Sequence, residues 1–424
     1  MRREGNIFSN VDWVTVMIYF GLVIFGWLNI YAVEYNAEDV HKIFSLEMNS
    51  GKQLLFMAVA LIAGIAIFII DFKFYDHFAY GFYALVILLL VAVLGIGPVI
   101  SGAKSWIRIG PFGLQPSEFA KFATALAVAK FISQRSMKFD RLDKDFLVLC
   151  GIILLPMALI VIQGDAGTAL VFGSFVFVLY REGLTPWVLI AGFIGLALFI
   201  LTLWVGPEYM YLAIGLLILL ALGLFSKMKF WRIVGILAAG IVFFTVVFGV
   251  DFFVNDVLQP HQSARINVLF DPESDLQGAG YNVNQSKIAI GSGGMWGQGF
   301  LEGSQTKLSY VPEQHTDFIF CTIGEEHGWA GSFLLIALFI TLLYRIIFIS
   351  ERQKDRFIRI YGYGVACILF FHFMINIGMT IGLFPVIGIP LPFFSYGGSS
   401  LLAFTTLLFI LLKLDSHRKN AFSR

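Results

Sequence analysis

Apolar residues run along this chain in blocks of about twenty, parted by short polar breaks, from residue 12 almost to the C-terminus. A helix of roughly twenty apolar residues crosses the hydrocarbon core of a bilayer. The pattern predicts about twelve such spans, near 12–33, 52–70, 77–97, 116–133, 146–163, 167–181, 187–206, 209–226, 231–254, 329–349, 358–382 and 398–414. The fold class that follows is all-α, a polytopic integral membrane protein with one membrane domain over 1–424. The first block is too long for a signal-peptide core and lacks a clear cleavage site, so it reads as a retained span.

Composition agrees. The chain is 58% hydrophobic and 13% charged, with 45 phenylalanines, against an apolar share of about one half in soluble domains. A net charge of +1 makes no case for nucleic acid; where the charges sit matters more. With the N-terminus cytoplasmic, that side collects Arg2, Arg3, Lys73, the Lys130–Lys144 cluster, Arg181, Lys227, Lys229, Arg232, Arg345, the Arg352–Arg359 run and the Lys413–Arg424 tail. The other side keeps Lys42, Lys52, Lys104, Arg108, Arg265, Lys287 and Lys307. That asymmetry follows the positive-inside rule and puts both termini in the cytoplasm. Cys150, Cys321 and Cys367 are scattered and odd in number, which fits neither a disulfide framework nor a metal spacing.

Two extracytoplasmic segments remain, SGAKSWIRIGPFGLQPSE (101–118) and a long one over roughly 255–328. So long a loop between tightly connected spans is usually functional. In QPSEFAK, Pro116 suits the first helical position, and Glu118 suits the first turn and reaches Lys121 at i, i+3. Lys121 is followed by FATALAVA, so its ammonium lies inside an apolar helix and needs a partner or a wet cavity. Lys104 and Arg108 are either solubilising loop cations or part of a pocket for an anionic lipid headgroup. The glycine cluster GSGGMWGQGF (291–300) fails G-x-G-x-x-G, because Trp296 stands in the last glycine's place; tight turns are its expected role. Asp271 and Asp275 read as turn residues around Pro272.

VPEQHTDFIF (311–320) then sets Glu313, His315 and Asp317 before an apolar piece too short to span, ending at Glu325, Glu326 and His327. Such a piece resembles a helix buried in protein or lining a cavity. Locally, Thr316 is expected to cap it and Asp317 to fill its first turn; a chemical role for Asp317 stands beside that reading. Asp165 in QGDAGT reads as an N-cap. His372 and Asn376, at i, i+4, read as interhelical hydrogen bonders. PVIGIPLPFFSYGGSS (385–400) reads as a broken, membrane-depth segment.

Taken in order, QPSEFAK, QGDAGTA, DPESD with GAGY, QSKIAIGSGG, VPEQHTDFIF with GEEHG, and PLPFFSYGGSS resemble the SEDS family (shape, elongation, division and sporulation) of peptidoglycan glycosyltransferases. DPESD, GAGY and AIGSGG are closer to its RodA branch than to its FtsW branch. The resemblance covers nearly the whole chain. It implies an enzyme of the bacterial cytoplasmic membrane that polymerises lipid II into glycan strands during elongation and releases undecaprenyl diphosphate. It also implies a class B penicillin-binding protein partner, other elongation components, and dependence on a divalent cation, Mg²⁺ or Mn²⁺. Asp317 matches the family's essential aspartate, and Glu118 and Lys121 match residues that line the same cavity. Members typically have ten spans, so residues 187–226 read as an inserted transmembrane hairpin.

The chemistry implied is attack by a sugar hydroxyl on an anomeric carbon, with diphosphate leaving. Asp317 as general base would contribute roughly 10²–10⁴-fold. A helix N-terminus would weaken it as a base, which leaves a metal-ligand role open. Lys104, Arg108, Arg265 and Lys287, with Gln285, His315, Ser395 and Ser399 from the same motifs, are the candidate substrate contacts. A lipid-precursor flippase is the alternative function. It would need polar residues on both leaflets, whereas the unusual charges cluster at 104–121, 165 and 261–327.

Overall fold

The computed structural model describes residues 10–35, 45–100, 102–110, 112–135, 137, 139, 143–224, 230–257, 260–269, 278–308 and 310–418. The Asp271–Asp275 turn and the orienting cations Arg2, Arg3, Lys42, Lys138, Arg141, Lys227, Lys229, Lys419 and Arg424 lie outside the described residues. In chain order the helices are α1 (Trp13–Glu34), α2 (Asn49–Ile69), α3 (Phe72–His77), α4 (Ala79–Ile96), α5 (Pro116–Ser133), α6 (Lys144–Ile162), α7 (Ala166–Val171), α8 (Phe175–Arg181) and α9 (Pro186–Val205). They continue with α10 (Pro207–Leu224), α11 (Phe230–Phe252), α12 (Pro260–Asn267), α13 (Ala279–Ser292), α14 (Ser304–Lys307), α15 (Ile319–Glu326), α16 (Gly328–Glu351), α17 (Arg356–Thr380) and α18 (Gly398–Ser416). Before α5, β1 (Ile107–Ile109) pairs antiparallel with β2 (Phe112–Leu114), Arg108 opposite Gly113. The sequence reading took this hairpin for plain loop; its strands are three residues each, too short to signal by alternation.

Among the described residues, ten helices are long and apolar enough to cross a bilayer. The other two expected spans are helical but different in kind. α5 carries Glu118, Lys121 and Lys130, and 166–181 is parted into α7 and α8 by a 3-10 turn at Phe172–Ser174. The chain is thus a polytopic all-α membrane protein. The long segment 255–328 carries α12, α13, α14 and α15.

The chain divides into two compact units, residues 1–183 with 285–424, and residues 184–284. At the heart of the first, α5, α17 and α18 pack against one another. Among the long helices they are the most completely buried. Lipid tails are as apolar as leucine, so close packing rather than hydrophobicity holds such a core. α5 supplies the small residues Ala120, Ala123, Ala125, Ala127 and Ala129, all buried. Its Ala125 faces Gly364 of α17, where an added Cβ would come to 3.3 Å.

At the end of α17 away from its C-terminus, ion pairs tie the bundle. Asp12 caps α1 through Thr15 N at 3.1 Å and pairs with Arg345. Asp415 accepts from Arg352, from Gln353 at 2.6 Å and from Arg418 at 3.0 Å. Glu182 takes Arg356 and Arg359 at 3.1 and 3.2 Å. Cations that served only as orientation signals in the sequence are therefore also structural.

In the second unit, α9, α10 and α11 pack pairwise around Met210, Ile214 and Val247. The Tyr211 and Phe244 rings stack at 5.3 Å. The segment 187–224 is helical as two spans, and α11 packs against both.

Candidate active site

Residues 311–318 form a succession of turns, and α15 starts only at Ile319, with Phe318 at the N-cap and no side-chain cap. The expected helix start at Thr316 is corrected here. Thr316 Oγ1 donates instead to the carbonyl and carboxylate of Glu313, at 3.2 and 2.9 Å, and Asp317 precedes the helix rather than filling its first turn. The competition was between a local turn and a cap, and the turn wins because Glu313 offers two acceptors. α15 itself is buried along its whole length, as its brevity predicted.

Asp317 is half-buried, and its main chain is clamped. Asn376 Nδ2 donates to the Asp317 carbonyl at 2.9 Å and to the Ile389 carbonyl at 2.7 Å. The Asp317 carboxylate lies against Gly388, whose φ is +72°. A Cβ there would stand 3.3 Å from Asp317 Oδ2. Glycine at 388 therefore serves twice, admitting the left-handed conformation and leaving room for the carboxylate.

Gly388 belongs to a non-helical stretch, 385–397, between α17 and α18. Pro385, Pro390 and Pro392 prevent a helix there, and the freed backbone groups find partners in protein, as a membrane-depth segment requires. Ser395 Oγ donates to the Thr316 carbonyl at 2.6 Å and accepts from Leu391 N at 2.9 Å. Tyr396 N donates to the His315 carbonyl at 2.9 Å. Ser399 Oγ donates to the Gly113 carbonyl at 2.9 Å and accepts from Gln115 N at 3.2 Å. The structure thus brings His315, Asp317, Ser395 and Ser399 into one assembly, and the two serines fasten backbone within it.

α5 joins the same assembly. Glu118 and Lys121 pair at 2.8 Å, each only 2% exposed. Lys121 Nζ is also 2.9 Å from His372 Nε2 and lies 4.4 Å from the centre of the Phe404 ring. His372 Nδ1 meets the Pro390 carbonyl at 3.1 Å. The buried ammonium is compensated by a carboxylate, an imidazole and an aromatic face. Of the two expected supports, a partner or a wet cavity, these protein groups supply the first. His372 is the interhelical bonder the spacing implied. Asn376, one turn on, reaches loop carbonyls instead. Asp165 does cap α7, accepting from Thr168 N at 3.0 Å, and its other oxygen takes Gln115 Nε2 at 2.9 Å.

The glycine-rich turn packs on α15. Gln298 N and Gly299 N donate to the carbonyls of Glu325 and Glu326 at 2.9 and 3.1 Å. Amides so used are not a phosphate cradle, as the motif mismatch implied. Glu325 accepts from Gln305 N at 2.6 Å, Thr306 N at 2.9 Å and Ser304 Oγ at 3.2 Å, anchoring α14. Glu326 is as buried, yet neither carboxylate oxygen has a hydrogen bond among the described residues. Burial pushes its pKa up to about 7; the Leu301 amide and Lys307 only temper that rise, and Glu325 adds to it. His327 is half-buried, and burial lowers its pKa. Sequence reasoning gave no role to Gln115, Glu325 or Asn376's loop contacts, because each depends on a long-range partner.

The remaining candidates stay outside this assembly. Lys104, Arg108 and Lys287 are exposed, and Gln285 is partly buried on α13. None makes an ion pair among the described residues. Arg265 is exposed on α12, in the second unit. Among the described residues, no three His, Cys, Asp or Glu side chains stand close enough to hold a metal ion together.

The sequence matches the FtsW/RodA/SpoVE cell cycle proteins over residues 12–214 and 197–420. The chain belongs to the FtsW/RodA/SpoVE family. The peptidoglycan glycosyltransferase MrdB of Escherichia coli K12 is 35% identical over 364 residues, covering 86% of this chain and 84% of that protein. The peptidoglycan glycosyltransferase RodA of Treponema pallidum is 33% identical over 426 residues, 95% of this chain and 96% of that one. A solved chain from work on the structural coordination of polymerization and crosslinking by a peptidoglycan synthase complex is 25% identical. It superposes with a TM-score of 0.70, over 98% of this chain and all of that one. The RodA branch read from DPESD, GAGY and AIGSGG agrees with these relatives.

Proposed function

We propose that this FtsW/RodA/SpoVE family member is a peptidoglycan glycosyltransferase that polymerises lipid II at the outer face of the cytoplasmic membrane, with both termini inside. Family membership, with relatives named for that activity, supports the reaction class. The observation that carries the site is Asp317, its carboxylate against Gly388 and its main chain clamped by Asn376. A carboxylate held in place by backbone contacts is preorganised to act on a bound hydroxyl.

In the reaction, the acceptor sugar's hydroxyl oxygen forms a bond to the donor's anomeric carbon. The bond from that carbon to the diphosphate oxygen breaks, and the diphosphate leaves with the bonding pair. Asp317 takes the hydroxyl proton. Glu118, Lys121 and His372 are sealed from solvent, so they position rather than touch. They lock α5 to α17, and α17 carries Asn376. Exposed Lys104, Arg108 and Lys287 are the cations free to meet a diphosphate. A divalent cation, when bound, would neutralise diphosphate charge. Asp317 is the carboxylate that would hold it, as the alternative to its role as base, and a single protein carboxylate suits a cation that keeps phosphate and water oxygens as its other ligands. A class B penicillin-binding protein is the proposed partner, in keeping with a structural relative described as part of a synthase complex.

The test is gel analysis of glycan chains made by the purified protein from lipid II, with and without Mg²⁺ or Mn²⁺ and the transpeptidase. Polymer from the protein, alone or with its partner, is expected. Its absence under all of these conditions would overturn the reading.

A further inference from the structure

Beside the Asp317 segment lies a cavity of about 890 Å³, bounded by Glu34, Glu47, Lys307, Glu313, Gln314 and His315 among others. We infer that this cavity binds a primary ammonium group, and, resting on the polymerase reading above, that this is the side-chain amine of the substrate's stem peptide.

Among the described residues, three carboxylates face one lysine, so this part of the lining is acidic. Glu34 is already committed, accepting from Asn49 N at 3.0 Å and Ser50 N at 2.9 Å, which fixes that wall to the start of α2. Glu47 and Glu313 are exposed. Glu313 spends one oxygen on Thr316, and the other has no hydrogen bond among the described residues. Gln314 supplies an independent observation. It is only 4% exposed, its Nε2 donates to the Thr306 carbonyl at 2.9 Å, and its buried Oε1 has no partner among the described residues. Among the described residues the walls therefore carry acceptors in excess of donors. An ammonium group has three donors and no acceptor, which matches spare carboxylate oxygens and an orphan amide oxygen. Lys307 then suits a carboxylate on the same peptide.

Position agrees with this assignment. The wall residues 311–315 lead directly into Asp317, two residues beyond His315. Three residues of extended peptide reach about 10 Å, so a peptide borne on the reacting sugar can extend into this space while the sugar stays at Asp317. A metal ion is the weaker occupant, because no three His, Cys, Asp or Glu side chains here converge to ligand distance among the described residues.

The test compares lipid II bearing the free amine with lipid II acetylated at that amine, for the unaltered protein and for Glu47→Gln, Glu313→Gln and the double variant. For the amine-bearing substrate the double variant should raise KM about tenfold, the scale of two partly exposed charge contacts, with little change in kcat. Acetylation should raise KM about as much in the unaltered protein and add nothing in the double variant. An equal KM effect on both substrates, no effect on either, or a KM that follows Mg²⁺ instead of the amine would overturn the inference. Failure of the unaltered protein to polymerise either substrate would overturn the polymerase reading as well, and that control separates the two.

Discussion

Glu325 and Glu326 are adjacent and equally buried, yet their chemistry differs. Glu325 has four backbone or hydroxyl donors from 304–306, whereas neither carboxylate oxygen of Glu326 has a hydrogen bond of normal geometry among the described residues. An ordinary glutamate has a pKa of 4.5, and burial moves Glu326 to about 7. The folded state thus binds this proton more tightly than the unfolded one. Its contribution to stability is full below pH 4.5 and is lost as pH rises toward 7, a change of about 3 kcal/mol. His327 acts with the opposite sign. Its lowered pKa favours the neutral folded form, so its contribution fades as pH falls through the range below 6.5. In thermal unfolding of the solubilised protein, Glu326→Gln should remove a decline in melting temperature between pH 5 and 7. The same slope in both proteins would count against the assignment. At this scale the sequence was partly legible. Lys121 stood out because a charge inside FATALAVA needs a reason, while GEEHG could not say which glutamate would find donors.

Among the elements, α17 does the most to organise the site. His372 and Asn376 sit one turn apart on one face. The first meets Lys121 of α5 and the second clamps Asp317 and Ile389. Replacing the Asn376 amide by a carboxylate in Asn376→Asp would set an acceptor against two carbonyl oxygens. A shift of this kind near the reacting groups costs on the order of 10²-fold. The expected result is such a fall in polymerisation rate at saturating lipid II, with the protein still folded; a rate near that of the unaltered protein would refute the clamp. Helix positions were readable because lengths and apolar blocks set them. The hairpin at 107–114 and the turn before α15 were not, because three-residue strands and competing hydroxyl bonds leave no periodic trace.

For the whole molecule, the pattern of apolar blocks foretold twelve helical segments, and the described residues supply ten clear spans with α5 and the broken 166–181. What the blocks could not reveal is which segments lie inside. α5, α17 and α18 are among the least uniformly apolar, and they are the interior. In a bilayer that inversion is expected, since polar and small residues bind helices to one another while the most apolar faces meet lipid. The site forms where this polar interior meets the broken segment and the turn holding Asp317. The most direct test of that account is glycan synthesis from lipid II by purified Asp317→Ala, compared with the unaltered protein at equal expression and melting temperature. The account predicts no polymer above background, and polymer at a rate within about tenfold of the unaltered protein, where a general base alone is worth roughly 10²–10⁴-fold, would contradict it.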